Sequence, residues 1–308
     1  MNKTAIIIVG PTAVGKTSVA IEFAKRFHTE IISADSRQCF KELNIGVARP
    51  PEEELRNVRH YFIASHSIHE SVNVGTFEQY ALQKANELFH VHDPIIVTGG
   101  TGLYVKAFCE GLDEIPNVPN NTRKEIISNY DRNGIEWLQK QIQEKDPRFY
   151  ASGEIQNPHR LMRALEVVEA TGLSILEFRR GQKETRDFNI VKIGLELPKE
   201  ELHRNINTRV DNMVNAGLVE EATQLAPFKN LNALQTVGYT EIFDYLDGKI
   251  SLEQAAELIK QNTRQYAKRQ MTWFKKDKEV RWFAPSQLSE IEYYLNKVLA
   301  TDYTDEHR

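Results

Sequence analysis

Thr4-Ala5-Ile6-Ile7-Ile8-Val9-Gly10-Pro11-Thr12-Ala13-Val14-Gly15-Lys16-Thr17 is the stretch from which the rest of the chain can be read. Thr4 to Val9 is an apolar, β-branched run without alternation, the pattern of a strand buried on both faces of a parallel sheet. Gly10 to Thr17 fits G-x-x-x-x-G-K-[ST], and Val19, Ala20, Phe23, Ala24 and Phe27 then recur at helical spacing. Strand, glycine loop and helix follow in the order a phosphate loop requires. Gly10 and Gly15 let backbone N–H groups converge on an anion at a helix N-terminus, Lys16 adds a mobile positive charge, and the Thr17 hydroxyl can hold Mg²⁺. A plain glycine turn is the competing account, disfavoured because motif and context agree. The cradle suits any diphosphate, so nucleotide-binding and ATP-binding kinases, ATPases, GTPases and non-nucleotide transferases all remain open.

Two neighbouring segments narrow the choice. Ile95-Ile96-Val97-Thr98 reads as a second buried strand, but it ends in Gly99-Gly100-Thr101-Gly102 where a phosphate-loop hydrolase usually places a metal-binding Asp. Ile31-Ile32-Ser33-Ala34 reads as another strand, which puts Asp35 at the carboxyl edge of the sheet, where ligands of open α/β sheets bind. An isolated Asp before Ser is usually a turn residue. Asp35-Ser36-Arg37-Gln38, however, packs an acid, a hydroxyl, a cation and an amide beside a phosphate site, enough to bind and deprotonate a polar substrate.

With 308 residues the chain has room for about two domains, or one core with a large insertion. Its 41% hydrophobic and 27% charged content excludes collagen-like and wholly disordered classes, and a net charge of -4 argues against a protein basic all over. Cys39 and Cys109 have neither disulfide-framework nor zinc-site spacing, which suits a reducing, cytoplasmic setting. The longest apolar N-terminal run falls far short of the roughly 20 residues of a membrane helix, so no membrane association is expected.

Asp113 to Asn121, with two prolines and three Asn, reads as a linker. Beyond it, Thr122 to about Arg186 shows helix signals only, with stops at Gly134 and Gly172 and a start at Asn157-Pro158. The expected division is a core over 1–115, a helical insertion over 116–188, a second part of the core over 189–284, and a C-terminal tail over 285–308, frayed and acidic from Thr301. Ile190 to Leu195 and Val280 to Phe283 supply the returning and last strands. On the helix opening at Pro158, His159, Arg160 and Arg163 crowd the first turn, where cations oppose the helix dipole unless an anion binds. A solvated basic face paired with Glu166 or Glu169 explains the same pattern equally well. Ser251 with Gln254 makes a capping box for a long helix, locally basic from Lys260 to Arg281.

At this point the sequence resembles the tRNA dimethylallyltransferase family over nearly its whole length. The resemblance rests on Gly10 to Thr17, Ser33 to Gln38, Asn44 to Pro50, Gly99 to Tyr104, Arg160 to Val167, Val237-Gly238-Tyr239 and Thr263 to Gln270. It implies an α/β fold, a phosphate-loop parallel sheet core flanked by helices with a helical insertion domain that contacts tRNA. It further implies transfer of a dimethylallyl group from dimethylallyl diphosphate to the exocyclic amine of the adenine 3′-adjacent to the anticodon, with Mg²⁺. Gly10, Pro11, Thr12, Ala13, Val14, Gly15, Lys16 and Thr17 would hold the diphosphate, with Arg264 as a further cation and Thr17 on the metal. Asp35 would be the general base, with Thr101 beside it in catalysis. Asp35, Ser36, Arg37, Gln38, Thr101, Arg123, His159, Arg160, Leu161, Met162 and Arg163 would touch the anticodon stem-loop of tRNA. Phe40 stands where the family has a tyrosine, and Arg59-His60-Tyr61-Phe62 replaces a paired-histidine stretch. A monomer is expected. The rival readings are a phosphate-loop kinase of a small metabolite, a non-catalytic RNA-binding protein, and a prenyltransferase of free adenosine nucleotides.

Overall fold

The computed structural model describes residues 3–179 and 181–302. Two compact units are present, one formed by Met1–Cys109 with Thr185–Arg308 and one by Glu110–Glu184. In the first, six parallel strands, β1 (Thr4–Val9), β2 (Ile31–Ser33), β3 (His60–Tyr61), β4 (Ile95–Gly99), β5 (Asn189–Leu195) and β6 (Arg281–Phe283), lie in the order β3-β2-β4-β1-β5-β6. The helices are α1 (Lys16–Arg26), α2 (Glu52–Asn57), α3 (Val74–Leu88), α4 (Gly102–Glu110), then α5 (Asn120–Lys145), α6 (Pro147–Ala151) and α7 (Pro158–Thr171) of the second unit. The first unit resumes with α8 (Lys199–Asn215), α9 (Leu218–Leu225), α10 (Tyr239–Leu246), α11 (Leu252–Phe274) and α12 (Leu288–Asp302).

The unalternating run in β1 has the expected cause. Ile7 and Val9 enter one core with Phe77 and Phe108, while Ile6 and Ile8 enter another with Phe23 and Ile206, so the strand is buried on both faces. Burying each such side chain fully contributes about 1.5–3 kcal/mol. Because all six strands run parallel, β1, β2, β4 and β5 deliver their carboxyl ends to one edge of the sheet, and the loops leaving that edge build the site.

Two expected boundaries move. The helical unit spans Glu110–Glu184 rather than 116–188, and Arg186 already belongs to the core: its guanidinium donates to the Ala107 and Phe108 carbonyls and pairs with Glu78 at 2.8 Å. Residues 285–308 are not simply a tail, since α12 buries Ile291 and Leu295 against the α1 face of the sheet. Residues 303–308, part of the expected frayed end, lie outside the described residues. Within the second unit Gly134 interrupts α5 at φ 72°, and Gly172 closes α7 at φ 70°. Leu138, Ile142, Phe149, Leu161 and Leu165 form that unit's own core. The Ser251–Gln254 capping box is present. Asp277 and Glu279, the acids of the basic stretch, both pair with the buried Lys192 at 2.7 Å.

Candidate active site

A cavity of about 810 Å³ opens at the carboxyl edge of the sheet in the first unit. Thr12, Ala13, Gly15, Lys16 and Thr17 of the phosphate loop line it, whereas Gly10, Pro11 and Val14 are buried and shape the turn instead. Ala13 sits at φ 64° and Gly15 at φ 101°, left-handed geometry of the kind that turns successive backbone N–H groups toward one anion. Lys16 Nζ donates to the Pro11 carbonyl at 2.7 Å. Burial, and then the nearby Arg209 guanidinium, lower the Lys16 ammonium to about 7, with Asp35 pulling the other way.

That value sets a pH-dependent test. An anion in the loop favours the charged ammonium, so binding inorganic diphosphate above pH 7 must take up a proton that is already present well below pH 7. Calorimetry at pH 8 in buffers of differing ionisation enthalpy should show the wild type taking up about one proton more than Lys16→Ala, a difference in which the diphosphate's own titration cancels and which vanishes near pH 5.5. Equal proton uptake by the two proteins at pH 8 would refute the assignment.

Asp35 and Gln38 also line the cavity. Asp35 Oδ1 accepts the Arg37 N–H at 2.9 Å and the Gln38 N–H at 3.2 Å, closing a local turn, while Oδ2 makes no hydrogen bond among the described residues. One carboxylate oxygen is thus committed to the turn, and the other is left without a hydrogen-bond partner among the described residues. Ser36 donates its N–H to Thr101 Oγ1 at 3.0 Å, so Thr101 braces the Asp35 turn from beside the cavity. Gly99 permits this approach, since a Cβ there would lie 2.2 Å from the Ala34 carbonyl oxygen. Arg37 turns to the Asn232 carbonyl at 2.8 Å.

The expected cation Arg264 is not in the cavity. On α11 the side chains of Tyr266 and Gln270 reach it, and a residue two positions before Tyr266 points about 200° away around a helix. Arg264 instead donates to Asn207 Oδ1 of α8 at 2.7 Å. The cation in place is Arg209, which the sequence reading missed; it lines the cavity and donates to Thr12 Oγ1 at 3.3 Å. Its signal was available: Ile206 and Val210 are the buried stripe of α8, and Arg209, Asn212, Met213 and Ala216 recur on an adjoining stripe. Arg209→Ala should weaken inorganic diphosphate binding about 10- to 100-fold by calorimetry, the worth of a charge-assisted contact, and Arg264→Ala much less. Equal losses would return Arg264 to the site.

Gln270, also unforeseen, is buried and accepts the Thr12 N–H at 2.8 Å while donating to the Gly100 carbonyl at 2.8 Å, tying the phosphate loop to the turn after β4. His60 lines the cavity with Nδ1 2.8 Å from the Val58 carbonyl, and burial keeps its imidazole pKa below the usual value. Phe40 is a core residue.

The remaining expected contacts lie in the second unit. His159 and Arg160 are exposed on the first turn of α7, and Arg160 pairs with Glu154. Leu161 is fully buried in the unit's core, so its side chain is withdrawn from any nucleic-acid surface, and Met162 packs against the same core. Arg163 and Arg123 both pair with Glu166, at 3.0 and 3.1 Å, and Glu166 is only 2% exposed. Glu169 pairs with Lys145. The charge-pairing account thus holds for Arg163 and Glu166, and Glu169 has a different partner. Among the described residues no His, Cys, Asp and Glu group could hold a metal by itself, and no helix is long and apolar enough to cross a membrane.

The chain is similar to known proteins over nearly its whole length. Residues 38–277 match the family model described as IPP transferase. The chain is 47% identical over 299 residues to a tRNA dimethylallyltransferase of Cytophaga hutchinsonii, covering 97% of this chain and 98% of that one. It is 48% identical over 283 residues to the protein of the same name from Christiangramia forsetii, covering 92% and 94%. Among solved structures, the tRNA isopentenylpyrophosphate transferase of Bacillus halodurans superposes with a TM-score of 0.73 at 34% identity, covering 99% of each chain. With a phosphate loop and an acid-bearing turn facing one cavity, and relatives matched end to end, this chain belongs to the IPP transferase family.

Proposed function

We propose that this chain transfers a dimethylallyl group from dimethylallyl diphosphate to the exocyclic amine of the adenine 3′-adjacent to the anticodon in tRNA, as a monomeric cytoplasmic enzyme. The observation that carries this reading is that Lys16 and Asp35 line one cavity: the first suits a leaving diphosphate, the second an amine that must lose a proton. As the allylic C–O bond breaks, negative charge grows on the diphosphate and meets the phosphate-loop N–H groups, the Lys16 ammonium and the Arg209 guanidinium. The C–N bond forms, and Asp35 accepts the amine proton, work that needs the free Oδ2 within about 3 Å of the nitrogen. Thr101 and Gln38 hold the Asp35 turn for this step.

Thr17 offers one hydroxyl in the cavity without a hydrogen-bond partner among the described residues, which fits Mg²⁺, a hard cation that takes most of its ligands from phosphate and water. The metal would supply charge neutralisation at the diphosphate. His159 and Arg160 are exposed at the start of α7, and Arg123 and Arg163 bring two positive charges to the single Glu166, an excess of positive charge suited to the phosphates of an anticodon arm. An unstacked loop base costs less to extrude than a paired one, which suits an adenine beside the anticodon.

The test is incubation with unmodified tRNA and dimethylallyl diphosphate, followed by mass spectrometry of the anticodon loop. The expected result is one added five-carbon group on that adenine. Product on free adenosine nucleotides but not on tRNA, or phosphate transfer from labelled ATP to a small metabolite, would replace this reading with one of its rivals.

A further inference from the structure

We propose that Glu221 and Tyr239 form a positioning clamp that sets the apolar wall of the cavity and thereby the length of hydrocarbon donor it admits. The inference rests on the prenyl-transfer reading above. Glu221, on α9, receives two consecutive backbone N–H groups of the loop after β2: Oε2 accepts from Ile45 at 2.8 Å and Oε1 from Gly46 at 2.9 Å. Oε1 also accepts the Tyr239 hydroxyl at 2.5 Å. Tyr239 is fully buried, and its ring lies so close over Gly46 that a Cβ there would stand 2.5 Å from the nearest ring atom. The other side of the loop is held through its carbonyls. Arg49 donates to those of Phe40 and Lys41 at 2.6 and 3.0 Å, and Gln38 to those of Val47 and Ala48 at 3.2 and 3.1 Å. A carboxylate gripping N–H groups and cations or amides gripping carbonyls leave this loop little freedom to yield.

The gripped loop also gives the cavity apolar lining. Ile45, Val47, Ala48 and Pro50 line the cavity with hydrocarbon, as do Met213 and Ala216 of α8, whereas the phosphate loop, Asp35, Gln38 and Arg209 bring polar groups to it. A donor whose diphosphate sits at Lys16 and Thr17 can bury its alkenyl group against that wall. A five-carbon group fits a wall that stays in place; a ten-carbon group needs the wall to retreat, and a gripped loop resists this as a packed core resists overfilling. Neither Glu221 nor Tyr239 lines the cavity, so each acts through the loop and not on the donor.

The experiment measures kcat/KM for dimethylallyl and for geranyl diphosphate on an anticodon stem-loop acceptor, with thermal unfolding of each variant. Glu221→Gln places an amide N–H₂ against one of two backbone N–H groups, and Tyr239→Phe removes one hydroxyl while keeping the ring on Gly46. The five- to ten-carbon preference is expected to fall about tenfold in Glu221→Gln and less in Tyr239→Phe, chiefly through the donor KM, the size of effect a pocket wall exerts on chain length. A residue that only stabilised the fold would lower the melting temperature and leave the ratio unmoved. An unchanged ratio in folded variants overturns the clamp, and Tyr239→Phe decides the matter alone if Glu221→Gln does not fold. A wild-type protein that transfers neither donor overturns the prenyl-transfer reading itself, and this inference with it.

Discussion

Asp35→Asn should slow single-turnover transfer at saturating substrates by about 10²–10⁴-fold, the usual worth of a general base. The substitution is conservative where it matters for structure. Asn can keep an oxygen for the Arg37 and Gln38 N–H groups that Asp35 Oδ1 now accepts, so the turn and its Thr101 brace should survive. What is lost is the ability of the second oxygen to take a proton. Donor and tRNA affinity should stay within about threefold of wild type, because neither depends on that proton. A wild-type transfer rate in Asp35→Asn would remove this residue from the chemistry and leave it as a turn residue only. Thr101→Val makes the complementary variant: it deletes the hydroxyl that receives the Ser36 N–H, and a smaller loss of rate, without loss of diphosphate affinity, is expected.

The second large effect concerns stability in the helical unit. Glu166 lies 2% exposed between Arg123 and Arg163, and removing both guanidiniums together leaves a buried carboxylate without cationic partners. Breaking such a pair costs about 3–5 kcal/mol when all members are buried; with Arg123 and Arg163 reaching water, about 3 kcal/mol is expected for the double alanine variant. Denaturant unfolding followed by circular dichroism should show it. Adding Glu166→Met to that background should restore most of the loss, since replacing a buried ion pair by packed hydrocarbon is often neutral. If the triple variant is no more stable than the double, the arginines stabilise by something other than neutralising Glu166. These variants also decide how far tRNA affinity can be attributed to Arg163. A salt titration of tRNA binding should therefore use Arg160→Ala, whose partner Glu154 is a surface residue and whose loss leaves no buried charge. Its log K against log salt slope should fall by about 0.7 to 0.9 for one lost phosphate contact.

The sequence by itself determined the elements whose local pattern is unambiguous. Ile6 to Val9 can only be a strand buried on both faces, Gly10 to Thr17 a cradle closing onto a helix, and Asn157-Pro158 and Ser251-Gln254 the starts of helices, because strand burial, left-handed loop geometry and capping are set by neighbours in the chain. Asp35 was legible for the same reason: the end of a short apolar strand in a parallel sheet lies at the binding edge whatever the rest of the fold does. Only the tertiary structure decided which cation reaches the phosphate-loop side of the cavity. Arg209 and Arg264 are both basic residues on amphipathic helices, and choosing between them requires knowing which stripe of α8 faces α11 and which faces the phosphate loop. It also decided that Leu161 belongs to a core, that α12 packs on the sheet, and that Glu221 and Gln270 grip loops 176 and 258 residues away in the chain. Such contacts leave no periodic trace. A buried carboxylate or amide is chosen for backbone groups that only the folded chain brings within 3 Å of it, and no pattern of neighbours along the sequence encodes that distance.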